Sequence, residues 1–374
     1  MIKFWSYKKE YKKHKKSLLS VINKSIKKGS VFFGEDLDKF EKNFIKKYKS
    51  KYGIAVASGT DALLISIKSL NIKYGDEIIT AANTAIPTIS AIINAGAKPK
   101  LVDVGEDYLI DVNKIQKEIT SKTRAIIPVH LYGQICEMDK IMMIAKKNKI
   151  EIIEDCAQSQ GSFYKKKYSG TFGKLGCFSF YPTKILGAYG DGGFILTNDF
   201  NTYKKIKRLR FYGIETVENH KYKDKYYSFE NGLNSRLDEI QASILNFKLK
   251  KTDDFIRKRR NLAKIYIKEL SSTKLTLPRE NDNNEHVYHL FTVSHPKREK
   301  IIQHLLKRKI QTRIIYPYPI QNMMAYKSII KNRNRLKNSV KKASEIFCLP
   351  LYPELNVKEV KYICKTLKEI LVKI

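Results

Sequence analysis

Between residues 53 and 200, short runs rich in β-branched residues alternate with longer segments of helical period, and this alternation limits the fold more than any other feature of the sequence. Residues 53–57, 77–81, 100–104, 125–130, 151–154, 177–180 and 193–197 read as strands. Between the first five lie helical patterns such as 61–70 and 138–147. Strand, helix and strand repeated in this way predict an α/β fold with a mostly parallel seven-stranded sheet between helices. The handedness of such crossovers leaves few topologies open. From about residue 245 the character changes to Lys-rich helical patterns with few glycines, a β-like run at 287–293 and a Pro-rich stretch at 316–319. A chain of 374 residues exceeds one ordinary core. The expected division is a large domain over 1–245 and a smaller C-terminal α/β domain over 246–374.

Composition narrows the function classes. With 72 Lys and Arg against 37 Asp and Glu, the formal charge is +35, and 13 of the cations are Arg. That excess alone would support a basic nucleic-acid-binding regulator. Yet the lysines are spread along the whole chain, and no helix-turn-helix, zinc finger or RNA-binding motif accompanies them, so nucleic acid is not expected as a partner. A general attraction for anions fits a phosphate-bearing small substrate as well. The cysteines Cys136, Cys156, Cys177, Cys348 and Cys364 stand far apart with no CxxC pair, which gives neither a zinc pattern nor a disulfide framework. Buried reduced thiols are expected. No apolar run reaches the roughly 20 residues of a membrane span, and residues 1–16 lack the apolar core of a secretory signal. The expectation is a cytoplasmic protein with no membrane partner.

In open parallel sheets, ligands bind beyond the carboxyl ends of the strands. After the first strand stands Ser58-Gly59-Thr60-Asp61, then a helix. Small residues and the free N–H groups of a first helical turn suit an anion such as phosphate, although the same four residues also make an ordinary N-cap. After the fifth strand stands Glu154-Asp155-Cys156-Ala157-Gln158. A carboxylate at the sheet mouth needs a cationic partner. No His or further carboxylate follows at ligand spacing, so no metal is expected, and a protonated heterocyclic nitrogen is the other candidate. Lys184 then lies in an apolar, Gly-rich stretch between the last two strands. Desolvation would lower its pKa and free the amine as a nucleophile, whereas a surface lysine snorkelling from a loop is the bland alternative. His130 reads as a packed strand-end histidine.

A phosphate cradle, a buried carboxylate for a pyridinium nitrogen and a sequestered lysine are together what pyridoxal 5′-phosphate (PLP) demands. The order of the motifs resembles fold-type-I PLP enzymes, and more closely the nucleotide-sugar aminotransferases of the DegT/StrS type. The resemblance runs from Phe32-Phe33-Gly34 through residues 57–62, 75–77, 129–133, 154–158 and 178–184 to 234–242. It implies that Lys184 is the Schiff-base lysine and the acid and base of proton transfer, and that Asp155 is the partner of the pyridine nitrogen. It further implies that Gln158 lies beside the cofactor's O3′ and that Gly59, Thr60 and Ser179 hold the phosphate. Asn234 would reach that phosphate from the neighbouring subunit of a homodimer, with Arg236 following it; an N-cap for a helix over 236–249 is the alternative for Asn234. Two departures stand out. The position where relatives place a ring over the cofactor is Ala85, and where they often show His-Tyr-Pro with a second His the chain has Ile315-Tyr316-Pro317 and Gln321. The run Gly190-Asp191-Gly192-Gly193 looks like the branch that aminates C3. The resemblance thus implies transfer of an amino group from L-glutamate to C3 of a dTDP-linked 3-keto-6-deoxyhexose, with a C4 or a UDP-linked 3-keto substrate as alternatives. The destination of the product, lipopolysaccharide or another glycan or metabolite, is not encoded. A sugar dehydratase of this type would carry histidine in place of Lys184, and a Rossmann oxidoreductase would need a GxGxxG after the first strand, which is lacking.

Overall fold

The computed structural model describes residues 1–215, 226–331 and 333–374. In chain order its strands are β1 (Tyr52–Val56), β2 (Glu77–Ala81), β3 (Lys98–Val102), β4 (Thr123–Ile127), β5 (Glu151–Asp155), β6 (Phe163–Tyr164), β7 (Lys167–Tyr168), β8 (Leu175–Ser179), β9 (Gly193–Thr197), β10 (Asn284–Glu285), β11 (Phe291–Ser294) and β12 (Ile346–Leu349). Its α-helices are α1 (Tyr7–Lys27), α2 (Glu35–Tyr48), α3 (Gly59–Ser69), α4 (Ile86–Asn94), α5 (Val112–Glu118), α6 (Met138–Asn148), α7 (Phe200–Leu209), α8 (Glu239–Leu249), α9 (Thr252–Leu270), α10 (Arg298–Lys307), α11 (Lys337–Glu345) and α12 (Val357–Lys373).

Seven strands make one sheet in the order β1-β9-β8-β5-β4-β2-β3. β9 is antiparallel to both its neighbours, while the pairs β5·β8, β4·β5, β2·β4 and β2·β3 are parallel. The expected α/β class with a mostly parallel seven-stranded sheet is therefore what the chain adopts. Because β9 runs backwards, its first residue sits at the edge where the other strands end, with Gly193 paired to both Val56 and Ser179.

Both faces of the sheet are covered, and the pleat of period two divides the side chains between them. Ile54, Val56, Cys177 and Ile195 pack with α3, α4 and α7. Their neighbours Ala55, Phe178, Phe194 and Leu196 pack on the other face against Leu37, Phe40, Phe44 and Tyr48 of α2 and Ala242 and Leu245 of α8. Phe44 meets Phe178 edge-to-face, with ring centroids 5.2 Å apart. Burying each such ring contributes roughly 2–3 kcal/mol.

Packing changes partner between α8 and α9. α8 belongs with α1 and α2, whereas α9, α10 and α12 surround the antiparallel pair β11·β12 in a separate apolar cluster. Ile2 and Trp5 join that cluster, and Ile2 bridges Ile310.

Several boundaries differ from the sequence reading. The third strand covers 98–102 rather than 100–104, because Val104 leaves the ladder to bridge Ile110. The fourth stops at Ile127, where Pro128 has no N–H to continue it. The run 287–293 yields a strand only from Phe291, since Val287 N–H is bonded instead to Gly133 O at 2.9 Å. The helix expected from residue 236 begins at Glu239, capped by the side chain of Asp238, so Asn234 is not its N-cap. All five cysteines are buried and unpaired.

Candidate active site

The carboxyl edge of the sheet gathers the residues that the sequence singled out. At the exit of β1, Ser58 Oγ accepts the Asp61 N–H at 3.0 Å and caps α3. The ordinary N-cap is thus Ser58. The N–H groups of Gly59 and Thr60 keep no acceptor among the described residues, which leaves an electropositive first turn open to an anion. A Cβ built on Gly59 would lie 2.6 Å from Ser179 Cβ. Only glycine therefore lets β8 bring Ser179 beside this turn. Gly193 locks the arrangement from below, because a Cβ there would be 2.2 Å from Ser58 O.

At the exit of β5, Asp155 and Glu154 part company. Glu154 turns to the interior, where its oxygens accept N–H groups of Gly170, Phe172 and Gly173 at 2.7–2.8 Å. His130 Nδ1 accepts the Cys136 N–H at 3.2 Å, so its Nε2 carries the proton and donates it to Glu154 at 3.0 Å. His130, Glu154 and Cys156 offer ligand atoms within 4.8 Å of one another. With the carboxylate already accepting four hydrogen bonds, the trio is a lock on the loop at 170–173.

Asp155 is also buried, yet no cation lies within ion-pairing distance of it among the described residues. Its Oδ1 accepts the Ala157 N–H at 3.1 Å and its Oδ2 the Thr88 hydroxyl at 2.8 Å. Thr88 in turn lies 2.9 Å from the Thr84 hydroxyl; having given its own proton to Asp155, it accepts that of Thr84. Burial pushes the Asp155 carboxyl above its ordinary range, opposed by these donors and by the charge of Lys184.

Lys184 occupies a reversal between β8 and β9. Its N–H reaches Tyr181 O at 2.8 Å, and Ala188 N–H returns to Phe180 O at 2.8 Å. Gly187 permits the turn, because a Cβ there would stand 2.4 Å from Pro182 O. Burial lowers the Lys184 amine to about 8, against the attraction of Asp155, which raises it. The two groups thus act on each other across one site.

Gln158 is held at both ends of its amide. Its Oε1 accepts the Tyr132 N–H at 2.9 Å, and its Nε2 donates to the Tyr316 hydroxyl at 3.0 Å. Asn234 is exposed and bridges Phe211, away from any hydrogen bond to α3 within its own chain. Its neighbour Ser235 reaches the α3 turn instead, accepting from Ala57 N–H at 3.0 Å and donating to Asp61 at 2.6 Å. The Arg236 guanidinium lies 4.1 Å from the Phe32 ring centroid. Ala85, the N-cap residue of α4, offers only a methyl group. Thr88, Tyr132 and Tyr316 were not singled out as site residues. Their only sequence signal is position just beyond a strand or inside the Ile315-Tyr316-Pro317 stretch.

A separate cleft of about 890 Å³ opens between the loop at 105–113 and the segment 276–286, lined by seven carboxylates and by the cations Lys165 and Arg279. Lys184 and Asp155 do not line it. Its charge suits a phosphate poorly, so the chemistry belongs at the sheet edge.

PLP asks for an anion-binding turn, an unpaired buried carboxylate and an amine that is readily neutral, each within reach of the same ring system. The residues at the sheet edge fit that group, and the topology is that of a fold-type-I PLP transferase. Comparison with known proteins narrows the class. The model of the DegT/DnrJ/EryC1/StrS aminotransferase family matches residues 12–368. The chain is 38% identical over 357 residues to a dTDP-3-amino-3,4,6-trideoxy-alpha-D-glucose transaminase of Micromonospora megalomicea subsp. nigra, covering 94% of each. It is 34% identical over 368 residues to a UDP-2-acetamido-2-deoxy-3-oxo-D-glucuronate aminotransferase of Pseudomonas aeruginosa, covering 98% of the chain and 99% of that protein. Among solved structures, S. venezuelae DesV in complex with a ketimine intermediate superposes with a TM-score of 0.94 at 32% identity, covering 98% of each chain. The chain belongs to the DegT/DnrJ/EryC1/StrS family and is a PLP-dependent sugar aminotransferase.

Proposed function

We propose that this protein transfers the amino group of L-glutamate to C3 of a dTDP-linked 3-keto-6-deoxyhexose, with Lys184 and Asp155 as its catalytic pair. The observation that carries the reading is a buried Asp155, held by Thr88 and Ala157 without an ion-pair partner, at the same sheet edge as the open first turn of α3 and the reversal that holds Lys184. PLP, when bound, supplies the electron sink and carries the amino group between the two halves of the reaction. Lys184 would hold it through its amine and would serve as the acid and base that moves the proton during transfer. Asp155 keeps the ring nitrogen protonated, and Thr88 and Ala157 hold its carboxylate in place. Gly59, Thr60 and Ser179 would hold the phosphate and Gln158 would stand beside O3′. Asn234, exposed and unoccupied by its own helix, serves the phosphate of the partner subunit.

That sharing requires a homodimer. Exposed aromatics support it: Phe32, Phe33, Tyr181, Tyr189 and Phe229 are between 38% and 53% exposed. The proposed division into a large domain over 1–245 and a small one over 246–374 follows the change of packing partner after α8. C3 rests on Gly190-Asp191-Gly192-Gly193 and on the Micromonospora relative; the Pseudomonas relative supports a UDP-linked 3-keto sugar as the second reading. No described helix is long and apolar enough to cross a membrane.

The test is incubation of the holoenzyme with glutamate and a panel of dTDP- and UDP-linked 3-keto and 4-keto sugars, with mass detection of the amino sugar. Turnover of the dTDP-3-keto sugar is expected. Turnover confined to a 4-keto or UDP-linked sugar would reassign the substrate, and no turnover of any would refute the substrate class. Lys184→Ala is expected to lower the rate by about 10³-fold or more and to abolish the visible absorbance of the bound cofactor.

A further inference from the structure

The polar contacts of Gln158 belong to a closed circuit. Tyr132 N–H donates to Gln158 Oε1 at 2.9 Å, and Gln158 Nε2 donates to the Tyr316 hydroxyl at 3.0 Å. Tyr316 is bonded through its peptide to Ile315, whose carbonyl accepts the Tyr132 hydroxyl at 2.5 Å. The circuit joins three segments far apart in sequence: the turn after β4, the turn after β5 and the C-terminal stretch.

Its chemistry has one permitted direction. The Tyr132 N–H can only donate, so the amide oxygen of Gln158 must face it. The NH₂ group then faces Tyr316, and one of its two hydrogens is used there. The second has no acceptor among the described residues. Tyr316 is partly buried, and desolvation together with the charge of Asp155 raises its hydroxyl pKa, which keeps it neutral.

Resting on the PLP reading above, we infer that Tyr316 is a positioning residue: with Tyr132 it fixes the rotation of the Gln158 amide, so that the spare N–H of Gln158 is donated to the cofactor's phenolic oxygen. Without the Tyr316 hydroxyl, only the Tyr132 N–H still holds the amide, at its oxygen, and the NH₂ end is free to turn about that single contact. A hydrogen bond donated to the phenolic oxygen draws off charge that would otherwise retain a proton on the adjacent nitrogen joining Lys184 to the cofactor. Losing it raises the pH at which that nitrogen titrates.

The experiment is a spectrophotometric pH titration of the visible band of the holoenzyme, with the dissociation constant of PLP measured alongside. Tyr316→Phe is expected to raise the midpoint by about half to one pH unit and to weaken PLP binding several-fold. Gln158→Ala should raise the midpoint at least as far, and the double variant no further than Gln158→Ala alone. Tyr132→Phe removes the other side of the circuit and should shift the midpoint in the same direction by less, which keeps the test alive if Tyr316→Phe folds poorly. An unchanged midpoint in both tyrosine variants, or a Tyr316→Phe shift that adds fully to that of Gln158→Ala, would overturn the proposal. A wild-type protein that shows no visible band with PLP would overturn the cofactor reading beneath it, an outcome distinct from either.

Discussion

A lysine amine in water is almost wholly protonated at neutral pH, whereas Lys184, lowered to about 8, is half neutral one unit above neutrality. The rate at which the cofactor-free protein captures PLP is therefore expected to climb with pH through about 8 and to level above it, as stopped-flow absorbance would show. The same shift has a stability sign. The folded pKa lies below the ordinary lysine value of 10.5, so the unfolded chain binds more protons between about 8 and 10.5, and stability from this group rises with pH over that window. Lys184→Met should thus stabilise the cofactor-free protein at neutral pH by up to about 3 kcal/mol, a gain that shrinks as pH climbs toward 10.5; denaturant titrations at several pH values would measure it. Asp155→Asn removes the charge that keeps the ring nitrogen protonated and is expected to reduce turnover by about 10²–10³-fold in steady-state assays, without loss of fold.

At the level of elements, the meeting of α3 with β8 is set by a glycine. Gly59→Ala is expected to push Ser179 away, costing about 1–3 kcal/mol and weakening PLP more than tenfold, measured by thermal unfolding and by cofactor titration. Strands and helices here were legible because each declares itself locally: Ile78 and Ile79, or Phe194, Ile195 and Leu196, are unbroken apolar runs bounded by turns. Ser58, Gly59, Asp155 and Lys184 were legible for the same reason, since each sits beside an element whose end can be read. Thr88 and Tyr316 were not. Their contacts cross 67 and 158 residues, to Asp155 and Gln158, and no local pattern records which distant side chain a hydroxyl will meet. The start of α8 was misjudged for a subtler reason: Asn234 and Asp238 are both good caps, and the bridge of Asn234 to Phe211 decides between them.

Across the whole molecule, the excess of 35 positive charges creates a field that any nucleotide diphosphate approaching the sheet edge must feel. Raising ionic strength should lower kcat/KM for the sugar nucleotide several-fold while leaving kcat nearly constant, a split that steady-state kinetics from low to high salt would reveal. The exposed rings around Phe32 and Tyr181 carry a parallel expectation: light scattering should return twice the 43.4 kDa of one chain.

The pairing of Ile2 with Ile310 and the hydrogen bond from Phe4 to Gln311 join residues 308 and 307 positions apart. During synthesis residues 2–5 have therefore no native place to go until the segment around residue 310 has left the ribosome, so their docking is a late act of assembly.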